Sequence, residues 1–216
     1  MLKETKGLLN AYVANGLVDY ASIRKDPSII NQVSDYLRIA PINTFGPSEL
    51  KAFYINAYNL IVIKQIADHY PVTSPMDISG FFDRYQHEVG GELLTLNELE
   101  NERIRKVYAD QRVHFVLVCA AVGCPLLASE PFRSEKIEQQ LDNRTRKTLN
   151  DPTFLRSENH TILLSEIFKW YRDDFPSGSG ALINWINGFL DAPLNTESEL
   201  EYYSYDWSLN DGSKGP

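Results

Sequence analysis

The sequence predicts an α+β fold: a single, predominantly helical domain around a small, mostly antiparallel sheet. Three patterns carry that expectation. Apolar residues recur at helical spacing in several segments, the longest over residues 46–70. Residues 112–119 form a near-continuous apolar run rich in β-branched side chains, which reads as the central strand, buried on both faces. Residues 87–94, with Gly90-Gly91 at their middle, read as a β-hairpin, and residues 160–164 and the aromatic stretch 201–207 supply neighbouring strands.

In chain order, Leu8, Leu9, Tyr12 and Val13 predict a first helix stopped by Gly16, followed by a short extended piece over 17–20. Asp26 is placed to cap a second helix, with Pro27 in its first position. Ile29, Ile30, Val33, Tyr36 and Leu37 give that helix one apolar face before Pro41. Gly46-Pro47 opens the long helix, which is apolar on nearly every side and ends before Pro71. Asn56 and Asn59 share one side of it, and buried amides must be hydrogen-bonded. They are either a network holding a neighbouring loop or binding groups. Thr95 to Glu98 matches a capping box, and the helix it opens, to Tyr108, carries Glu98 and Glu100 close in sequence to the apolar run. Ser134 starts an outer, polar helix reaching Leu149, and Ser165 caps another. Asp173 and Asp174 end the latter, where the helix dipole disfavours negative charge, so they need partners; one is a candidate distant carboxylate of a site. Leu182 to Leu190 form a last amphipathic helix. No repeat or long linker divides the chain, so residues 1–209 are expected to be one domain and residues 210–216 a frayed tail.

Composition narrows function. Twenty-one basic against 29 acidic residues give a net charge of −8 without any basic run, which argues against a nucleic-acid partner. The longest apolar tract, residues 53–63, is too short to span a bilayer, and no signal peptide is visible at residues 1–16. Two cysteines exclude a disulfide-dense scaffold and an all-cysteine zinc cage.

The chemistry concentrates in residues 112–125, which hold both cysteines and His114. An imidazole in a buried run needs partners for both ring nitrogens. Three readings follow. In the first, a thiol-dependent hydrolase or transferase acts on a peptide or amide. Cys124 is its nucleophile, His114 the general base and Glu100 the group that orients the imidazole, while Asn56, Asn59 and Arg112 bind. The second is a non-catalytic domain that binds a peptide, glycan or protein in an aromatic cleft, with a satisfied core histidine and structural cysteines. The third is a metal site from His114, Cys124 and a carboxylate. Its spacing carries no metal signature, so neither metal nor cofactor is expected. A disulfide between Cys119 and Cys124 would rule the first reading out.

Lys51 to Asn59, His114 to Cys119 and Gly123-Cys124-Pro125 closely resemble the uncharacterised family called domain of unknown function 547. Gly16 to Tyr20, Leu96 to Arg105, Ile167 to Phe175 and Tyr205 to Asn210 extend the resemblance over nearly the whole chain. Leu99-Glu100-Asn101 stands where that family's pattern reads Ile-Glu-His, so Glu100 is retained and a second histidine is not. The resemblance implies a bacterial protein exported to the periplasm or cell envelope, and implies no particular reaction. A looser likeness links the buried, asparagine-bearing helix and the histidine to papain- and transglutaminase-like enzymes, whose central helix starts with a cysteine that this chain lacks.

Overall fold

A computed structural model describes residues 1–213. Helix α1 (Leu2–Tyr12) runs into a tight ribbon of β1 (Val13–Ala14) and β2 (Leu17–Val18). Gly16 is therefore a hairpin turn at positive φ rather than only a helix stop. The Asp19 carboxylate accepts from the Ser22 N–H and caps α2 (Tyr20–Lys25). Helix α3 (Ser28–Ile39) starts one residue later than expected, with Pro27 at its cap, and buries Ile30, Val33 and Leu37.

The core is built on α4 (Pro47–His69), buried almost continuously from Lys51 to Ala67. Such a helix has no solvent face because α2, α3 and the helix after the hairpin all pack on it. The expected hairpin forms as β3 (His87–Val89) and β4 (Glu92–Leu94), with His87 opposite Leu94. Gly90 and Gly91 turn it at positive φ and donate to the Leu37 and Arg38 carbonyls. Helix α5 follows in three parts: an α-helical turn Leu96–Glu98, a π-helical segment Leu99–Arg105 and a last turn Lys106–Tyr108. Its capping box forms as read, the Glu98 N–H reaching Thr95 Oγ1 at 3.1 Å and the Thr95 N–H reaching Glu98 at 2.8 Å.

Residues 112–119 are not a strand. Gln111–Phe115 form a 3-10 turn and irregular backbone follows, although Val113, Phe115, Val116, Leu117 and Val118 are all buried. Asn59 takes the place of a neighbouring strand: its Nδ2 donates to the Val116 carbonyl and its Oδ1 accepts from the Val118 N–H, both at 2.9 Å. The apolar run signalled burial, which a short run shares between strands and other buried segments.

The three-stranded sheet lies elsewhere. β5 (Arg156–Glu158) pairs antiparallel with β6 (Thr161–Ser165), which pairs parallel with β7 (Glu199–Tyr203). Helix α6 (Ile137–Leu149) precedes it, and α7 (Ile167–Trp170) with the turn Arg172–Asp174 and α8 (Ser179–Asn187) lie between β6 and β7. Residues 210–213, expected to fray, instead tie the structure together. The Asn210 N–H donates to Ala120, its carbonyl accepts from Val18, and its side chain accepts from the Tyr20 hydroxyl at 2.7 Å. Residues 214–216 lie outside the described residues. Among the described residues no helix is long and apolar enough to cross a membrane.

Candidate functional site

Beneath the carboxyl-terminal segment lies a cavity of about 350 Å³ into which Glu100, His114, Cys119 and Cys124 all open. Tyr58 from α4 and Tyr171 after α7 line its interior, and Phe82, Trp170, Tyr205 and Trp207 form an aromatic wall. Trp170 stacks on Trp207 at 5.7 Å and remains 44% exposed, which puts this wall at the cavity's mouth.

Glu100 arrives there through the π-helical winding of α5. In an α-helix, residues five apart point roughly 140° away from each other. The wider π turn brings Glu100 and Arg105 to the same side, a geometry frequent at functional sites. Glu98 is held by the cap, so Glu100, 7% exposed, is the carboxyl that faces inward. The Tyr58 and Tyr171 hydroxyls sit against it. Burial first, and then the Glu100 charge, push both phenols well up, so each remains a protonated donor. Among the described residues no Lys, Arg or His side chain forms an ion pair with Glu100.

His114 is carried by the 3-10 turn and stacks on the Tyr171 ring at 4.1 Å. Its orienting carboxylate is Asp174, not Glu100: Nε2 lies 2.7 Å from Asp174 Oδ2, so the ring donates there. Arg105 clamps the same carboxylate, Nε at 2.7 Å and Nη2 at 3.1 Å, and lies over the Tyr171 ring. The His114 hydrogen bond, helped by Arg105 and opposed by burial, holds Asp174 well below the usual carboxylate range. Asp174 thus finds the partners that its place at a helix end demanded.

Cys119 and Cys124 are joined as a disulfide. In this oxidised form Cys124 carries no thiol, so the nucleophile of the hydrolase reading is absent until the bond is reduced. The Tyr205 hydroxyl donates to Cys124 Sγ at 2.8 Å and lies 3.1 Å from Cys119 Sγ.

The three binding candidates lie away from the cavity. Asn56 holds Phe132 through both backbone groups, at 2.8 and 2.9 Å, as Asn59 holds residues 116–118. Each amide spends its oxygen and one of its two N–H donors on backbone, and neither side chain lines the cavity. Arg112 joins Asp110, Glu138 and Asp142 in an ion network with Lys51 that ties α4 to α6. Burial acts to raise Asp110, but hydrogen bonds from Arg112 and Lys51 outweigh it and hold its pKa at about 2. Among the described residues no three His, Cys, Asp or Glu side chains gather as metal ligands.

An aromatic cleft is one of the readings of the sequence, but that reading names none of Tyr58, Tyr171 and the residues of the wall. Tyr58 belongs to a helix apolar on all sides, so its hydroxyl, like the Asn59 amide beside it in sequence, was the available sign of a polar interior.

A family model described as "Protein of unknown function, DUF547" matches residues 42–149. That span contains Tyr58, Glu100, His114 and Cys124, while Trp170, Tyr171, Asp174 and Tyr205 fall beyond it. No curated protein and no solved structure matches the chain.

Proposed function

The chain belongs to the DUF547 family, and on that premise we propose that its aromatic-walled cavity receives a ligand by a protonated amino group, such as the end of a peptide, held against Glu100. The observation that carries this reading is a buried carboxyl that forms no ion pair among the described residues, in a cavity lined by aromatic rings. A buried ionised carboxyl is unfavourable unless a charge and hydrogen bonds compensate it. Aromatic faces attract ammonium groups, most strongly where water is excluded. Tyr58 and Tyr171 line the cavity beside Glu100, and a ligand ammonium supplies the charge that balances the carboxyl.

Trp170 and Trp207 make the test direct. Peptides with a free amino terminus are expected to change tryptophan fluorescence saturably, and their N-acetylated forms to bind at least about tenfold more weakly. Glu100→Gln should remove that preference. Equal binding of free and acetylated peptides, or an unaltered preference in the variant, rejects the reading.

The His114–Asp174 pair favours a second reading, a thiol-dependent hydrolase or transferase acting on a peptide or amide. A base held by an orienting carboxylate is the recurring apparatus of covalent catalysis. In this reading Cys124, once reduced, is the nucleophile, His114 takes its proton and Asp174 fixes the ring. Release of product from a peptide substrate by the reduced protein, lost in His114→Ala, supports it. Turnover that survives that substitution sinks it. The oxidised cysteine pair also supports a periplasmic or envelope location, since disulfides persist in oxidising compartments. Fractionation of the producing cells tests this.

A further inference from the structure

The cysteine pair has surroundings that a purely structural crosslink does not need. We propose that Cys119–Cys124 is an exchange-active couple, reduced by an external dithiol at the cavity and leaving Cys124 as a hydrogen-bonded thiolate. The inference stands independently of what the cavity binds.

Four observations support it. First, the bond closes a loop of only five residues in sequence separation, and so short a loop gains little from crosslinking. Second, the loop is fixed without it. Val122 and Gly123 donate to Ser208 and Asp206 at 2.8 Å each, Cys124 donates to Ala121 at 3.1 Å, and Ala120 accepts from Asn210. The two sulfurs therefore stay adjacent after reduction, as a reversible couple requires. Third, Cys124 Sγ has two donors, the Cys119 N–H at 3.0 Å and the Tyr205 hydroxyl at 2.8 Å. Hydrogen bonds of this kind stabilise a thiolate and make it a better leaving group. Burial pushes the Tyr205 hydroxyl up, so it stays protonated and able to donate.

Fourth, the pair borders two cavities. Both line the aromatic cavity, and Cys124 also borders a second cavity of about 300 Å³ that contains Arg144, Lys147 and Arg156. Among the described residues none of these three cations forms an ion pair. Asp151 and Asp206 share that cavity, but each accepts from a neighbouring Thr or Ser. Positive charge beside a thiol lowers its pKa.

The exchange balances as follows. A thiolate of the outside dithiol attacks Cys119 Sγ, a new S–S bond forms, and the Cys119–Cys124 bond breaks with its electron pair going to Cys124. The second partner thiol loses its proton to solvent, attacks the mixed disulfide and releases Cys119 as a thiolate, which takes up a proton. The partner is oxidised by two electrons and the cysteine pair is reduced by two.

The test uses the folded protein with dithiothreitol as the dithiol, iodoacetamide quenching and mass spectrometry to count free thiols. The pair is expected to reduce under native conditions and to re-form when oxidised dithiothreitol is supplied. Tyr205→Phe, which keeps the ring but loses the donor, should slow reduction about tenfold. Cys119→Ser provides an independent readout: its remaining Cys124 should alkylate readily in the native state, and more slowly when Tyr205→Phe is added. Circular dichroism confirms that each variant is folded. A pair that resists excess dithiothreitol until the protein unfolds overturns the proposal, as does a Cys124 that is inert in folded Cys119→Ser.

Discussion

Asn59 shows how much one side chain can settle. It satisfies two buried backbone groups of the segment that carries His114, Cys119 and the cavity's inner wall. Asn59→Leu leaves a carbonyl and an N–H without partners, each costing about 1–3 kcal/mol. The expected loss is roughly 3 kcal/mol, read as a fall in Tm of about 6–12 °C in a chain of this size. Asp110 gives a prediction in pH. Its carboxyl falls from 3.8 to about 2 on folding, so its contribution is complete above about pH 4 and disappears as pH drops toward 2. That contribution is on the order of 2 kcal/mol. Urea midpoints measured from pH 6 to pH 2 should decline for the native chain and decline less for Asp110→Asn. Asp174, depressed by His114 and Arg105, follows the same sign: stabilising above its unfolded value and lost in acid.

At the scale of elements, α5 is the informative one. Its π winding places Glu100 in the cavity while Arg105 grips Asp174. Deleting Glu102, an exposed residue of the π segment, should convert the stretch to ordinary α-helix and leave its two flanks in nearly the same relation. Far-UV helicity should persist. Glu100 and Arg105 then stand four apart, about 40° from each other on one helix face, so the preference for free-amine peptides should survive. A folded deletion variant that loses this preference would show that the site needs the π winding itself and not only the shared face. Nothing in the residue pattern announces a π segment, whereas the cap that opens this helix was legible, because Thr95 and Glu98 act within a single turn. The Gly90-Gly91 hairpin was legible for the same local reason. The supposed strand at 112–119 was not. Its backbone partner is a side chain 57 residues away, and burial without a ladder leaves the same apolar run in the sequence. His114 and Cys124, singled out as polar or reactive groups in or beside an apolar run, and Glu100, singled out for its closeness to them in sequence, all line the cavity. The partner of His114 was misassigned to the nearer carboxyl, since no spacing rule relates residues 114 and 174.

Over the whole molecule, the cavity belongs to no single segment. Tyr58, Glu100, His114, Tyr171 and Tyr205 come from five separate parts of the chain, and residues 42–149 alone supply only Phe82 of its aromatic mouth. Residues 205–211 close the assembly by bonding to Thr73, Ala120 and Val18. Asn210→Ala, which removes the acceptor for the buried Tyr20 hydroxyl, should lower Tm by several degrees and raise the exchange rate of amides around residues 118–124. The net charge of −8 adds a further expectation. Association with cationic ligands should slow as ionic strength rises, because screening removes long-range attraction. Stopped-flow rates across a salt series measure it. The same closing segment also sets an order of events during synthesis. Cys124 leaves the ribosome 81 residues ahead of Tyr205. At about 5–20 residues per second this interval is on the order of ten seconds. For that time a nascent chain has its sulfurs, its histidine and its carboxyl in hand without the wall that encloses them.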